Sequence, residues 1–68
     1  MKKNRIPRNA TQMRVVMKVS STAGQVGEVL NAWKDGNAWH GKNRNGETYF
    51  LFLAMLRSSE VCDIEITA

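Results

Sequence analysis

The chain has one histidine, and the residues around it are of types that could act on a phosphodiester. His40 lies close in sequence to Trp39, Lys42 and Arg44. A histidine can serve as a general base, and Lys or Arg can stabilise the phosphorane of an RNA-cleaving reaction. A single histidine gives that reaction little support. We therefore expect no catalytic residue and no enzyme, and a small ribonuclease is the third hypothesis about function.

Metal binding has equally little support from the residue types. Zinc sites need about four Cys, His, Asp or Glu ligands at recognisable spacings, and His40 with Cys62 is not such a set. We expect neither a metal nor another cofactor. Because one cysteine cannot form an internal disulfide, the sequence favours the reducing environment of the cytoplasm.

Basic and aromatic residues instead favour a polyanionic partner. No acidic residue precedes Glu28, so residues 1–27 carry a formal charge of +6, whereas residues 28–68 have four basic and six acidic residues and carry −2. Aromatic rings can stack on bases while Lys and Arg contact phosphates. The residues predicted to bind nucleic acid, or a nucleoprotein complex, are Lys2, Lys3, Arg5, Arg8, Lys34, Trp39, His40, Lys42 and Arg44.

The first elements that must position these residues are an arm and a strand. A chain of 68 residues has material for one domain. Residues 1–12 mix Asn, Pro and basic side chains without periodicity and predict a basic extended arm before a single domain over residues 13–68. Residues 13–19 alternate between apolar and polar or smaller side chains, which is typical of a half-buried strand.

The next segment, residues 22–35, predicts a helix. Thr22 could cap its start and Gly36 could follow its end. The apolar side chains that recur at the i, i+3, i+4 and i+7 spacing of one helical face are Val26, Val29, Leu30 and Trp33.

The second half of the chain predicts strands. Asn45-Gly46 is a strong hairpin signal, and it would place either Lys42 or Arg44 opposite Glu47. Residues 49–56 follow as a strand that is apolar on both faces, with a second helix over residues 48–59 as the alternative. A last alternating strand covers residues 61–67.

These elements predict an α+β fold of order β-α-β-β-β, with a four-stranded, mostly antiparallel sheet and one helix on one face. If the first strand neighbours the last, Arg14 and Lys18 stand near Asp63 and Glu65 and can form cross-strand ion pairs.

The apolar run also predicts an interface. One helix covers one face of a sheet, so either Tyr49, Leu51, Leu53 and Met55 or Phe50, Phe52, Ala54 and Leu56 would lie on the open face. Such a patch usually marks a contact with another molecule. We expect a homodimer or a larger protein target at this face, and the residues predicted to form it are Tyr49, Phe50, Leu51, Phe52, Leu53 and Met55.

The leading hypothesis is therefore a non-enzymatic module that docks on nucleic acid or a nucleoprotein complex. The alternative is an inhibitor or regulator of the kind that phages and mobile elements encode, which would occlude a partner protein through its sheet face. The longest apolar run has eight residues, residues 49–56, against the roughly 20 that a membrane helix needs. We expect no membrane insertion and see no export signal.

Overall fold

The structure is a computed structural model that describes residues 3–20 and 25–68. Within these residues, five strands form one antiparallel sheet in the order β4-β3-β2-β1-β5. The elements are β1 Gln12–Met17, β2 Val29–Asp35, β3 Ala38–Lys42, β4 Thr48–Leu51, the helix α1 Leu53–Arg57, and β5 Cys62–Ile66. The predicted α+β class is confirmed, whereas the predicted four strands and the order β-α-β-β-β are wrong.

The segment predicted as a helix, residues 22–35, contains β2 instead. Its side chains alternate, with Leu30 and Ala32 buried and their neighbours on the other face. β2 is hydrogen-bonded to β1 on one side and to β3 on the other. Pairing with two strands outweighs a helical spacing that intrinsic propensity supports only weakly. The predicted cap, Thr22, lies outside the described residues.

The signal read as a helix stop is a hairpin turn. Asp35 pairs with Ala38, so Gly36 and Asn37 form a two-residue loop between β2 and β3. Gly36 has a φ of +63°, a value that this short loop demands and that side chains other than glycine rarely adopt.

The turn predicted before β4 is confirmed, and Gly46 adopts a φ of +86°. Lys42 pairs with Thr48, so residues 43–47 form the loop. Both predicted registers, which place a basic residue opposite Glu47, are therefore wrong.

The side chain of Asn43 explains why this loop is longer than predicted. Its Oδ1 accepts hydrogen bonds from the backbone N–H groups of Asn45, at 3.0 Å, and Glu47, at 2.9 Å. Its Nδ2 donates to the carboxylates of Glu28 and Glu47, each at 3.0 Å. This buried amide organises the loop in the way that an Asx turn does, and joins it to the chain before β2.

The long apolar run after the loop is divided between two elements. β4 ends at Leu51 and α1 begins at Leu53, with Phe52 in an extended conformation between them. The strand predicted over residues 49–56 is therefore too long. The alternative of a helix over residues 48–59 is realised only in residues 53–57, because residues 48–51 form β4.

This division explains how an odd-numbered and an even-numbered residue of the run both reach the core. Leu51 faces the core from a strand, and Leu56 faces it from a helix, and both are fully buried. The other face of the sheet is open in the described residues, with Phe50 exposed on it. The homodimer or protein target expected at this face stays a prediction. No helix in the described parts of the chain is long and apolar enough to cross a membrane.

The core lies on one face of the sheet, which we call the inner face. The N-terminal segment also contributes to it, because Ala10 is buried and Ile6 packs against the core. The buried core residues are Ala10, Met13, Val15, Met17, Leu30, Ala32, Trp39, Leu51, Leu56 and Cys62.

The predicted neighbourhood of the first and last strands is confirmed. β1 and β5 are antiparallel partners. Arg14 forms an ion pair with Glu65 at 3.2 Å, and Lys18 forms one with Asp63 at 3.6 Å. All four side chains are largely exposed, so these pairs define register more than they add stability.

Candidate functional site

Aromatic rings form a row across the outer face of the sheet, the face opposite the core. Trp33 of β2 pairs with His40 of β3, and His40 pairs with Phe50 of β4. The ring centroids of Trp33 and His40 are 5.8 Å apart in a stacked arrangement. Phe50 contacts His40 edge-on at 5.8 Å and Phe52 at 5.0 Å. We call Trp33, His40, Phe50 and Phe52 the aromatic row.

The row is accessible to another molecule. Phe50 is 53% exposed and Phe52 is 64% exposed, and Trp33 and His40 are half-buried. Apolar rings of this size are more often covered in a monomeric protein. An open cavity of about 310 Å³ lies beside Trp33, where Gln12, Asn31 and Thr67 line it.

Polar side chains form the neighbouring row on the same face. Arg14 pairs with Asn31, Asn31 with Lys42, and Lys42 with Thr48. All four are exposed. Since Glu65 neutralises Arg14 in part, the free positive charge of this row is that of Lys42.

The residues predicted to bind nucleic acid are divided between the two sides of the molecule. His40 and Lys42 lie on the outer face, and the exposed Arg44 lies in the loop that follows β3. Lys34 is on the inner face, opposite Trp39 in the register. Lys2 lies outside the described residues.

Trp39 is 4% exposed and belongs to the core. Its ring is therefore not available for stacking, which contradicts the role predicted for it. The tryptophan that can stack on a ligand is instead Trp33, which the sequence analysis placed on the apolar face of a helix. The sequence signal that could have identified Trp33 is Gly36-Asn37, because a two-residue hairpin loop there puts Trp33 and His40 side by side.

The predicted arm, in its described part, is held against the domain. The backbone N–H of Asn4 donates to the carbonyl of Arg57 at 2.7 Å. Lys3, Arg5 and Arg8 are exposed along this segment. Arg8 and Lys34, far apart in sequence, line one open cavity of about 440 Å³ together with an edge of the otherwise buried Trp39.

The residues predicted to form a protein interface are also divided. Phe50, Phe52 and Leu53 are exposed, Leu51 is fully buried, and Tyr49 and Met55 are half-buried. Burial, with smaller contributions from Glu47 and Glu28, raises the pKa of Tyr49.

The surroundings of His40 are aromatic, since the rings of Trp33 and Phe50 contact it from the two neighbouring strands. Among the described residues, no group of three or more His, Cys, Asp or Glu is placed to hold a metal ion.

Comparison with known proteins gives one partial similarity. No family model matches the chain, and no solved structure matches it. The chain is 35% identical over 52 residues to a shikimate dehydrogenase (NADP(+)) from Synechocystis sp. (strain ATCC 27184 / PCC 6803 / Kazusa). The similar stretch covers 76% of this chain and 18% of the relative, so the chain spans less than a fifth of that protein's length.

Proposed function

We propose that the chain is a small binding module for single-stranded nucleic acid, with the outer face of the sheet as its binding surface. The observation that carries this proposal is the aromatic row, in which adjacent rings from three strands and the residue after β4 lie on one accessible face. Aromatic rings on an accessible surface can stack on unpaired bases.

Stacking supplies affinity without a sequence requirement. A base stacked on an aromatic side chain contributes about 1–3 kcal/mol. A duplex keeps its base faces covered by neighbouring base pairs, so the row favours single strands. The two most exposed rings, Phe50 and Phe52, are the ones with most surface to offer.

Positive charge beside the row supports the same proposal. Lys42 lies in the polar row, and Arg44 follows in the loop after β3. The whole chain carries a formal charge of +4. Each phosphate of a single strand that the protein contacts adds about −0.7 to the slope of log K against log salt. Contacts from Lys42 and Arg44 to two phosphates therefore predict a slope near −1.4.

A protein partner is the second candidate function, and a specific observation favours it. Phe50, Phe52 and Leu53 are large, apolar, exposed and consecutive or nearly so in the chain. An inhibitor or regulator that occludes a partner could use this patch, and so could a homodimer.

The test compares oligonucleotide binding by wild type, Phe50→Ala and Phe52→Ala at low salt, with fluorescence anisotropy of labelled single strands. Each variant should weaken binding about 5- to 150-fold, the equivalent of about 1–3 kcal/mol. Val26→Ala is the matched control, because Val26 is 64% exposed and lies outside the row.

Unchanged affinity in both phenylalanine variants would refute the proposal. A change in oligomeric state or in protein capture, without any nucleic-acid binding by wild type, would favour the second candidate. RNA cleavage that His40→Ala abolishes would favour the ribonuclease.

A further inference from the structure

Basic side chains from three parts of the chain converge on the side of the molecule away from the aromatic row. Two open cavities, of about 440 and 400 Å³, adjoin there and share Ile6 and Arg57 as lining residues. We call the five basic residues that line them the basic groove: Lys3, Arg5, Arg8, Lys34 and Arg57.

The groove is a built feature, because the N-terminal segment that forms one wall is anchored at several points. Asn4 donates from its side chain to the carbonyls of Leu56, at 2.9 Å, and Cys62, at 2.8 Å. The backbone of Lys3 forms an isolated antiparallel β-bridge with that of Ser58. Farther along, Ala10 is buried in the core. The backbone positions of the arm's basic residues are therefore defined relative to α1 and β5.

The charges of the groove are not balanced from within the described part of the chain. Its lining contains no Asp or Glu. Within residues 3–20 and 25–68, the ion pairs involve Arg14 and Lys18, and none of the five groove residues takes part. Like charges held close together repel each other, and an anion bound between them would relieve that repulsion.

We propose that the basic groove is a binding site for phosphate groups. The guanidinium groups of Arg8 and Arg57 can each donate two parallel hydrogen bonds to phosphate oxygens. Lys34 adds a point charge, and Asn37 adds a neutral amide to the same cavity. Two adjoining cavities suit two linked phosphates better than one isolated ion.

The phosphates could belong to a nucleic-acid strand or to a small polyphosphate. Although the groove opens on the other side of the sheet, two of its lining residues are next in the chain to members of the aromatic row, because Lys34 follows Trp33 and Leu53 follows Phe52. A strand that crosses the row could reach it. The inference does not rest on the proposed function, since phosphate binding in the groove needs none of the four rings.

The first experiment measures tripolyphosphate binding to the full chain by titration calorimetry, and a chloride titration at the same ionic strength is the reference. Arg8→Gln and Arg57→Gln should each weaken binding about 10-fold or more, the loss expected for a charged hydrogen-bonding partner. Arg14→Gln removes the same charge outside the groove, at a residue that lines neither cavity, and should leave the affinity unchanged. Thermal melting checks that each variant is folded, and Arg57→Lys should retain part of the binding.

The second experiment measures oligonucleotide binding as a function of salt. If the strand's backbone occupies the groove, the double variant of Arg8 and Arg57 should reduce the salt slope by about 1.4, or 0.7 for each lost phosphate contact. Phe50→Ala should weaken oligonucleotide binding while leaving tripolyphosphate binding intact. That pattern separates the groove from the aromatic row.

Two results would overturn the inference. One is the absence of saturable tripolyphosphate binding by wild type. The other is an equal loss of affinity in Arg14→Gln, which would show that net charge and not the groove attracts the anion.

Discussion

The two tryptophans have opposite roles although they lie on adjacent strands. Trp39 is 4% exposed and fills the inner face beside α1, whereas Trp33 is half-buried on the outer face. The difference is one of parity, because successive residues of a strand point to opposite faces. A shift of one residue in the pairing of β3 with β2 would bring Trp39 to the outer face and His40 to the core, so the turn at Gly36 decides which ring of β3 is available to a ligand.

Asn43 is the polar residue on which the loop between β3 and β4 depends. Its buried amide makes two hydrogen bonds to backbone N–H groups and two to carboxylates. Asn43→Ala should lower the free energy of unfolding by about 1–3 kcal/mol, because it leaves buried groups without partners. Chemical denaturation measures this, with the exposed Asn45→Ala as control. Equal effects of the two variants would contradict the role given to Asn43.

Cys62 should be inert towards alkylation in the folded protein. It is fully buried, and burial, with a smaller contribution from Asp63, raises the pKa of its thiol. Reaction needs the thiolate and access to it. Mass spectrometry after iodoacetamide treatment at neutral pH should show little modification in buffer and complete modification in denaturant. Rapid labelling of the native protein would disprove burial.

The same thiol predicts a pH dependence of stability. Because the pKa is higher in the folded than in the unfolded state, the contribution of Cys62 is complete below the unfolded pKa and is lost as the pH rises through the folded value. Above about pH 9, wild type should therefore lose more stability than Cys62→Ala, in which this titration is absent. Parallel alkaline profiles of the two proteins would exclude the effect.

At the scale of elements, the hairpin of β2 and β3 shows where periodicity misleads. Val26, Val29, Leu30 and Trp33 fit a helical stripe, yet Leu30 faces the core while Val29 and Trp33 share the outer face. The seven residues of β2 are compatible both with the 3.6-residue period of a helix and with the two-residue period of a strand. The choice is made by the strands on both sides, which supply hydrogen bonds that the segment alone lacks.

Close packing between β3, β2 and β4 depends on Gly41. A Cβ at this position would lie 2.8 Å from Cδ1 of Leu51 and 3.4 Å from Cβ of Leu30. Gly41→Val should therefore lower the free energy of unfolding by about 1–3 kcal/mol through overpacking. Denaturant titration measures this.

A control within the same sheet makes the test specific. His40→Val places a similar side chain on the outer face of β3, where His40 is half-buried, and its effect on stability should be smaller. A similar loss in both variants would show that valine is unfavourable in β3 in general, and not that the core at Gly41 is full.

At the scale of the whole molecule, the N-terminal segment closes the fold. Asn4 links it to the carbonyls of Leu56 and Cys62, and the N–H of Thr11 donates to the carbonyl of Ala68 at 2.8 Å. From residue 3 onward the N-terminal segment thus lies against α1 and β5, and Ala68 lies against the start of β1. This arrangement places the arm's basic residues where α1 and β2 add their own.

Removal of the Asn4 side chain should release this segment. Asn4→Ala loses two hydrogen bonds to backbone carbonyls, which predicts a loss of about 1–3 kcal/mol in stability. Trypsin should cleave faster after Arg5 and Arg8, as gel analysis over time can show. Asn9→Ala, at an exposed position, is the control, and equal cleavage rates in the two variants would contradict the anchoring role.

The sequence by itself determined the α+β class, the alternating first and last strands, their ion pairs, and the turn at Gly46. These depend on local side-chain patterns and on charge, which adjacent residues carry. It also identified most of the basic residues of the groove.

The tertiary structure decided which residues work together. The strand at residues 29–35, the division of the apolar run at Phe52, and the burial of Trp39 all depend on partners distant in the chain. Non-local hydrogen bonds and core packing outweigh local propensity there. For the same reason the residues predicted to bind nucleic acid are divided, with His40 in the aromatic row of the outer face and Lys3, Arg5, Arg8 and Lys34 in the basic groove beside the N-terminal segment.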